Sequence, residues 1–110
     1  MNETLLLRTV AGNGEHVVHA RGDVDMASSP RLLSTMQQAL HEARRLAVDL
    51  AEVGYMDSSG VAVLIQGLKA ARRQQKGFVL RRPSPRVLAV LELADLMSLF
   101  AIEPGPARSP

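Results

Sequence analysis

Asp57, Ser58 and Ser59, followed by Gly60, place a carboxylate and two adjacent hydroxyls between the apolar run Leu46-Ala47-Val48-Asp49-Leu50 and a helix-periodic segment. At a helix start, unpaired backbone N–H groups and the positive end of the dipole favour an anion. A serine there can carry a phosphate ester without melting the fold, which is the chemistry of a switch. The plainer reading makes Asp57 or Ser58 an N-cap and Gly60 a relief of crowding, and taken alone that reading is the commoner one. Two enzymatic readings fail. A phospho-accepting Asp57 of the receiver type needs an acidic pair at the end of the first strand to hold Mg²⁺, and that strand ends Arg8-Thr9-Val10-Ala11. A nucleophilic serine lacks the Gly-x-Ser-x-Gly setting, and the histidines, His16, His19 and His41, all precede it in no recognisable triad order.

Other candidates are weaker. His16 and His19 differ by three, so a strand turns them to opposite faces and they cannot share a metal. Gly12-Asn13-Gly14 opens like a dinucleotide fingerprint, but Val17 stands where the third glycine belongs and a strand follows, so it reads as a turn. Gly22-Asp23-Val24-Asp25 puts two carboxylates in a predicted loop. An Asx turn accounts for it unless the loop lies beside Ser58, and loops at one edge of an α/β sheet do cluster.

The elements that must position these residues follow from periodicity. Thr4 to Val10 and Glu15 to Arg21 read as strands joined through Asn13-Gly14, a hairpin signal. Ser28-Ser29-Pro30 reads as a capping hydroxyl with proline in the first turn of a helix over about residues 29–44. Residues 46–50 read as a strand buried on both faces, hence parallel and central. A second helix over about 58–75 carries Val61, Leu64, Ile65, Leu68 and Ala71 inward, and Gly77 is placed to end it. Residues 78–80 read as a strand, Ser84-Pro85 as the start of a third helix, and residues 99–102 as a last short strand. The tail, residues 103–110, is too rich in Pro and Gly for regular structure. The order β β α β α β α β predicts one α/β domain over residues 1–110, with its core in about 4–102, a mixed sheet opening with a hairpin, and crossover helices against the sheet.

Composition narrows the function classes. With 46% hydrophobic residues among 110, one core is affordable, built of aliphatic side chains because Tyr55, Phe78 and Phe100 are the only aromatics. The scarcity of stacking platforms, with a net charge of only +2, argues against direct nucleic-acid binding. Arg72-Arg73-Lys76 and Arg81-Arg82-Arg86 could meet nucleic acid or an acidic partner but read better as solvated faces. Without cysteine there are no disulfides or thiolate metal sites. No basic n-region with an apolar h-region opens the chain, and no apolar run reaches the ~20 residues of a membrane span, so a cytoplasmic protein without membrane contact is expected.

Together, Gly22-Asp23-Val24-Asp25, Val48-Asp49-Leu50, Tyr55-Met56-Asp57-Ser58-Ser59-Gly60-Val61, Leu64, Val87, Leu91, Leu96 and Phe100 resemble the anti-sigma factor antagonists, a family built on the STAS domain, over about residues 4–102. The resemblance implies a STAS-like mixed sheet with helices packed on one side. It implies phosphorylation at Ser58, with Asp25, Asp57, Ser59 and Gly60 forming the partner-binding surface around it. The partner it implies is an anti-sigma factor that is also a serine kinase: the unphosphorylated chain binds it and releases the sigma factor, phosphorylation ends binding, and a serine phosphatase resets the switch in a stress response. On that reading the chain is no enzyme and needs no cofactor or metal. A STAS scaffold or accessory subunit of a stress-sensing or transport assembly is the alternative, and a small hydrolase using Ser58 is the reading from another class. Three departures qualify the resemblance. Ala27-Ser28-Ser29-Pro30 replaces the usual Thr-Ala helix opening, with capping expected to survive; Asp95 stands where many relatives have glycine; and the C-terminal end is short, so that a homodimer could supply missing cover to the sheet.

Overall fold

The computed structural model describes residues 3–104. The elements are β1 (Leu6–Ala11), β2 (Glu15–Val24), α1 (Ser29–Glu42), β3 (Arg45–Met56), α2 (Ser58–Arg73), β4 (Gly77–Arg81), α3 (Pro85–Leu93) and β5 (Ala101–Glu103), in the expected order. The five strands form one sheet in sequential order, β1 antiparallel to β2 and every later pair parallel. The β1–β2 hairpin turns through Gly12-Asn13-Gly14, where Gly14 alone takes a positive φ and the Gly12 amide donates to the Glu15 carbonyl, the pattern of a three-residue turn with a bulge.

Two strands outrun their apolar signal. β2 continues through Gly22 and Asp23 to Val24, and β3 continues to Met56, because Asp23 pairs with Tyr55 and Val24 with Met56 in the parallel register. The Gly22-Asp23-Val24-Asp25 block is therefore mostly strand, not loop: a neighbouring strand supplies the backbone partners that local sequence does not advertise. Gly22 sits between two register shifts with φ of 110°, and a Cβ there would run into the Thr4 carbonyl. Only glycine fits. At the other end of the chain, Glu103 belongs to β5 rather than to an irregular tail. The expectation for residues 105–110 lies outside the described residues.

All three helices bury their apolar stripes in one cluster on one face of the sheet. Leu32, Met36 and Leu40 of α1, Leu64 and Leu68 of α2, and Val87 and Leu91 of α3 meet Val18, Ala20, Leu46, Val48, Leu50, Phe78 and Leu80. The buried face of α2 is wider than predicted, taking in Val63, Gly67 and Ala70 as well, because α1 lies alongside: a Cβ at Gly67 would be 3.1 Å from the Met36 side chain. Ile65 is only half-buried.

The helix ends show where local rules hold. α2 stops in a Schellman motif with Gln75 at φ 57°, the Lys76 amide on the Ala71 carbonyl and the Gln75 amide on the Arg72 carbonyl, so Gly77 is the first residue of β4 and not the terminator. α3 ends the same way, and Asp95 takes the left-handed conformation (φ 59°) in place of glycine. Ser84 caps α3 by accepting from the Val87 amide, as predicted. Ser28 does not cap α1 with its side chain; its hydroxyl turns back into the β2–α1 loop.

β3 is central and parallel to both neighbours, yet its second face carries no helix. Register aligns an apolar row across all five strands on that face: Val10, Val17, Ala47, Val79 and Ala101. Ala47 (0% exposed) and Val79 (1%) are nevertheless sealed. Four charges on the flanking rows close over them in an alternating ring: Arg45 to Glu15 (2.9 Å), Glu15 to Arg81 (3.1 Å), Arg81 to Glu103 (2.8 Å) and Glu103 back to Arg45 (2.5 Å). The stems of the two arginines bring cover where a helix layer is missing. Arg82 binds the buried Asp49 carboxylate at 2.7 Å, and His19 stands 3.5 Å from it. Arg81 and Arg82 are thus engaged by carboxylates within the chain.

Candidate functional site

The C-terminal ends of β2 and β3 bring the predicted site residues together. The Asp57 amide donates to the Val24 carbonyl at 3.2 Å, so the Asp25 loop and the start of α2 are neighbours, as the clustering of loops at one sheet edge requires.

Asp57 is the N-cap of α2. Its backbone is extended, and its Oδ1 accepts from the Ser59 amide at 2.8 Å and the Gly60 amide at 3.4 Å. The carboxylate therefore already occupies the anion position at this helix N-terminus. A phosphate on Ser58 would not inherit that position but would stand next to it, a second negative group beside the first. This changes the electrostatic expectation drawn from the sequence, in which the dipole alone received the phosphate.

Ser58 is exposed and Ser59 half-buried. The first serine is the one an incoming enzyme can reach. Neither Asp25 nor Asp57 is hydrogen-bonded to the Ser58 hydroxyl among the described residues. Ser58 also stands at the lip of an apolar groove of about 410 Å³ between α2 and α3, lined by Val61, Ala62, Ile65, Val90, Leu93 and Ala94. This explains why Ile65, predicted to face the sheet, is only half-buried. Gly60 points inward: a Cβ there would be 2.6 Å from Met56 Cγ and 2.9 Å from Val24 Cγ1. Its missing side chain lets α2 start close against β2 and β3.

Asp25 is tied into its own loop. Its Oδ1 accepts from the amides of Ala27 and Ser28, both at 3.0 Å, and lies 3.1 Å from the Ser28 hydroxyl. That hydroxyl also lies 2.9 Å from the Asp23 carbonyl and accepts from the Asp25 amide at 3.0 Å. The bonds from the Ser28 amide and hydroxyl hold the Asp25 carboxyl below the usual range. The carboxylate thus shapes the loop beside Ser58. His16 faces the helices and His19 the opposite side of the sheet, so they are divided as predicted, and among the described residues no cluster of metal-ligating side chains forms. No helix among those residues is long and apolar enough to cross a membrane.

A family model described as "Mlab, STAS domain" matches residues 8–101. The chain belongs to the STAS domain family. Among its relatives are the anti-sigma-B factor antagonist of Listeria monocytogenes, 29% identical over 91 residues (81% of this chain and 80% of the relative), and that of Bacillus subtilis, 26% identical over 85 residues (77% and 78%). A crystal structure of an anti-sigma factor antagonist from Mycobacterium paratuberculosis superposes with a TM-score of 0.78 at 22% identity, covering 93% of this chain and 87% of that one. The unphosphorylated form of the anti-sigma factor antagonist SpoIIAA gives 0.72 at 19% identity over 90% and 87%. At these identities the structures establish the STAS fold, a mixed sheet with helices on one side, for this chain.

Proposed function

We propose that this STAS domain is an anti-sigma factor antagonist whose unphosphorylated form binds an anti-sigma factor with serine kinase activity. The observation that carries the proposal is the placing of an exposed Ser58 directly after a capping carboxylate and at the edge of an apolar groove. The names of the sequence relatives support the partner class. The kinase transfers the γ-phosphoryl group of ATP to the Ser58 oxygen, which loses its proton, and ADP remains. The product adds about −1.5 to −2 charge. Beside the Asp57 carboxylate, in a contact that must shed water, that dianion meets like charge with the Ser59 and Gly60 amides already taken. A penalty of about 2–4 kcal/mol weakens binding roughly 30- to 1000-fold. A serine phosphatase restores the binding form, and the chain itself performs no catalysis. The cytoplasm, where ATP and sigma factors are found, is the compartment this role requires.

The test is incubation with ATP and the candidate anti-sigma kinases, read by mass spectrometry and by titration of the partner. The expected result is one phosphate on Ser58, absent in Ser58→Ala, with Ser58→Ala binding constitutively and Ser58→Asp binding weakly. Equal affinity of the two variants overturns the switch. The matching family model carries a description other than anti-sigma factor antagonist, which favours a second reading: a STAS scaffold or accessory subunit of a stress-sensing or transport assembly. Stable binding to such an assembly with no phosphate on Ser58 is its signature.

A further inference from the structure

Five large apolar side chains stand exposed among the described residues: Leu6, Val10, Met26, Tyr55 and Leu93. Leu6 and Val10 lie on the edge strand β1. The other three gather at the Ser58 end. Leu93 (93% exposed) lines the groove that Ser58 borders, Tyr55 is the penultimate residue of β3, two before Asp57, and Met26 (76% exposed) lies two residues beyond Val24, whose carbonyl holds the Asp57 amide.

Met26 is set apart by how it is held. The residues around it are fixed by the Asp25 carboxylate on the amides of Ala27 and Ser28, by the Ser28 hydroxyl between Asp25 and Asp23, and by the Ser29 amide on the Asp25 carbonyl at 2.8 Å. This dense network presents a side chain that gains nothing from the chain's own core. Met36 and Met56, by contrast, are fully buried fillers. An unbranched, polarizable side chain on a loop whose backbone is already ordered adapts to a partner's surface at little further entropic cost.

We infer that Met26, in the loop that follows β2 and neighbours the start of α2, is an apolar anchor of the surface that binds the anti-sigma factor kinase. This rests on the function proposed above and adds a residue to it. Met26 determines affinity and leaves the phosphoryl acceptor alone. The Asp25–Ser28 network is then a positioning device: it fixes where the anchor stands relative to Asp57 and Ser58.

The test uses the full chain and, as probes, the purified anti-sigma factor kinases of the same organism, each titrated first against the wild-type chain. Met26→Ala is expected to weaken binding about 10- to 100-fold, while Met26→Leu stays within about threefold of wild type. Both variants are expected to melt at the wild-type temperature, because Met26 touches no core. Mild peroxide oxidation followed by peptide mass spectrometry gives a second readout, in which Met26 oxidises fast in the free chain and slowly in the complex. Wild-type affinity in Met26→Ala, with Ser58→Asp still binding weakly, overturns the anchor and leaves the switch standing. A wild-type chain that binds no anti-sigma kinase overturns both.

Discussion

Asp57 is the residue on which the local chemistry turns. It answers two of the amides that open α2, and in doing so it fills the place where an anion is most at ease. Cap and switch readings, which compete when the sequence is considered alone, fall on adjacent residues: Asp57 caps, and Ser58 is left exposed beside it. Replacing Asp57 by alanine removes the cap and is expected to cost about 0.5–2 kcal/mol of stability. Thermal denaturation of Asp57→Ala measures that cost, and an unchanged melting temperature would show that water serves these amides equally well. The same variant sharpens the proposed mechanism. With the carboxylate gone, a phosphate on Ser58 can reach the freed amides, so phosphorylation is expected to raise the stability of Asp57→Ala more than that of the wild type.

At the scale of elements, the site is held by how closely α2 meets the ends of β2 and β3. Gly60 sits at that contact, and a methyl group there has no room between Met56 and Val24, both fully buried. Gly60→Ala is expected to destabilise by about 1–3 kcal/mol through overpacking. Binding by the folded fraction should be retained, as measured by denaturant titration alongside partner titration. A loss of affinity at full stability would instead place Gly60 in the interface. The elements also show how a sheet with helices on one side closes its other face. The ring of Glu15, Arg45, Arg81 and Glu103 spans partners 22 to 66 residues apart in sequence, and it fastens the three-residue strand β5 to the sheet.

For the whole molecule, those charges tie stability to pH. The hydrogen bond from Arg81, with the charges of Arg81 and Arg45, holds the Glu103 carboxyl below its ordinary range, and Ser28 does the same for Asp25. A carboxyl depressed on folding stabilises above its unfolded pKa, and that contribution is lost as pH falls through the lower folded value. The denaturation midpoint is therefore expected to drop below about pH 4.5. Glu103→Gln is expected to flatten that drop. Both groups are partly open to solvent, so added salt should shrink the Glu103 effect. A midpoint equally steep in Glu103→Gln would assign the acid sensitivity to other carboxylates.

The sequence by itself determined the element order, the hairpin and the helix start at Asp57-Ser58, because each depends on residues within a few positions of one another. Periodicity, turn residues and caps are local signals, and local signals survive without the fold. Tertiary structure alone decided the rest. β2 and β3 lengthened because each offered the other backbone partners, Ser28 left its helix to serve the Asp25 loop, and Ile65 turned out to line a groove. The ring over Ala47 and Val79 could not be read because each of its charges looks solvated in its own segment. Met26 could not be read for a related reason: exposure belongs to the whole surface, and a lone methionine in a short loop looks the same in sequence whether it points into the core or away from it.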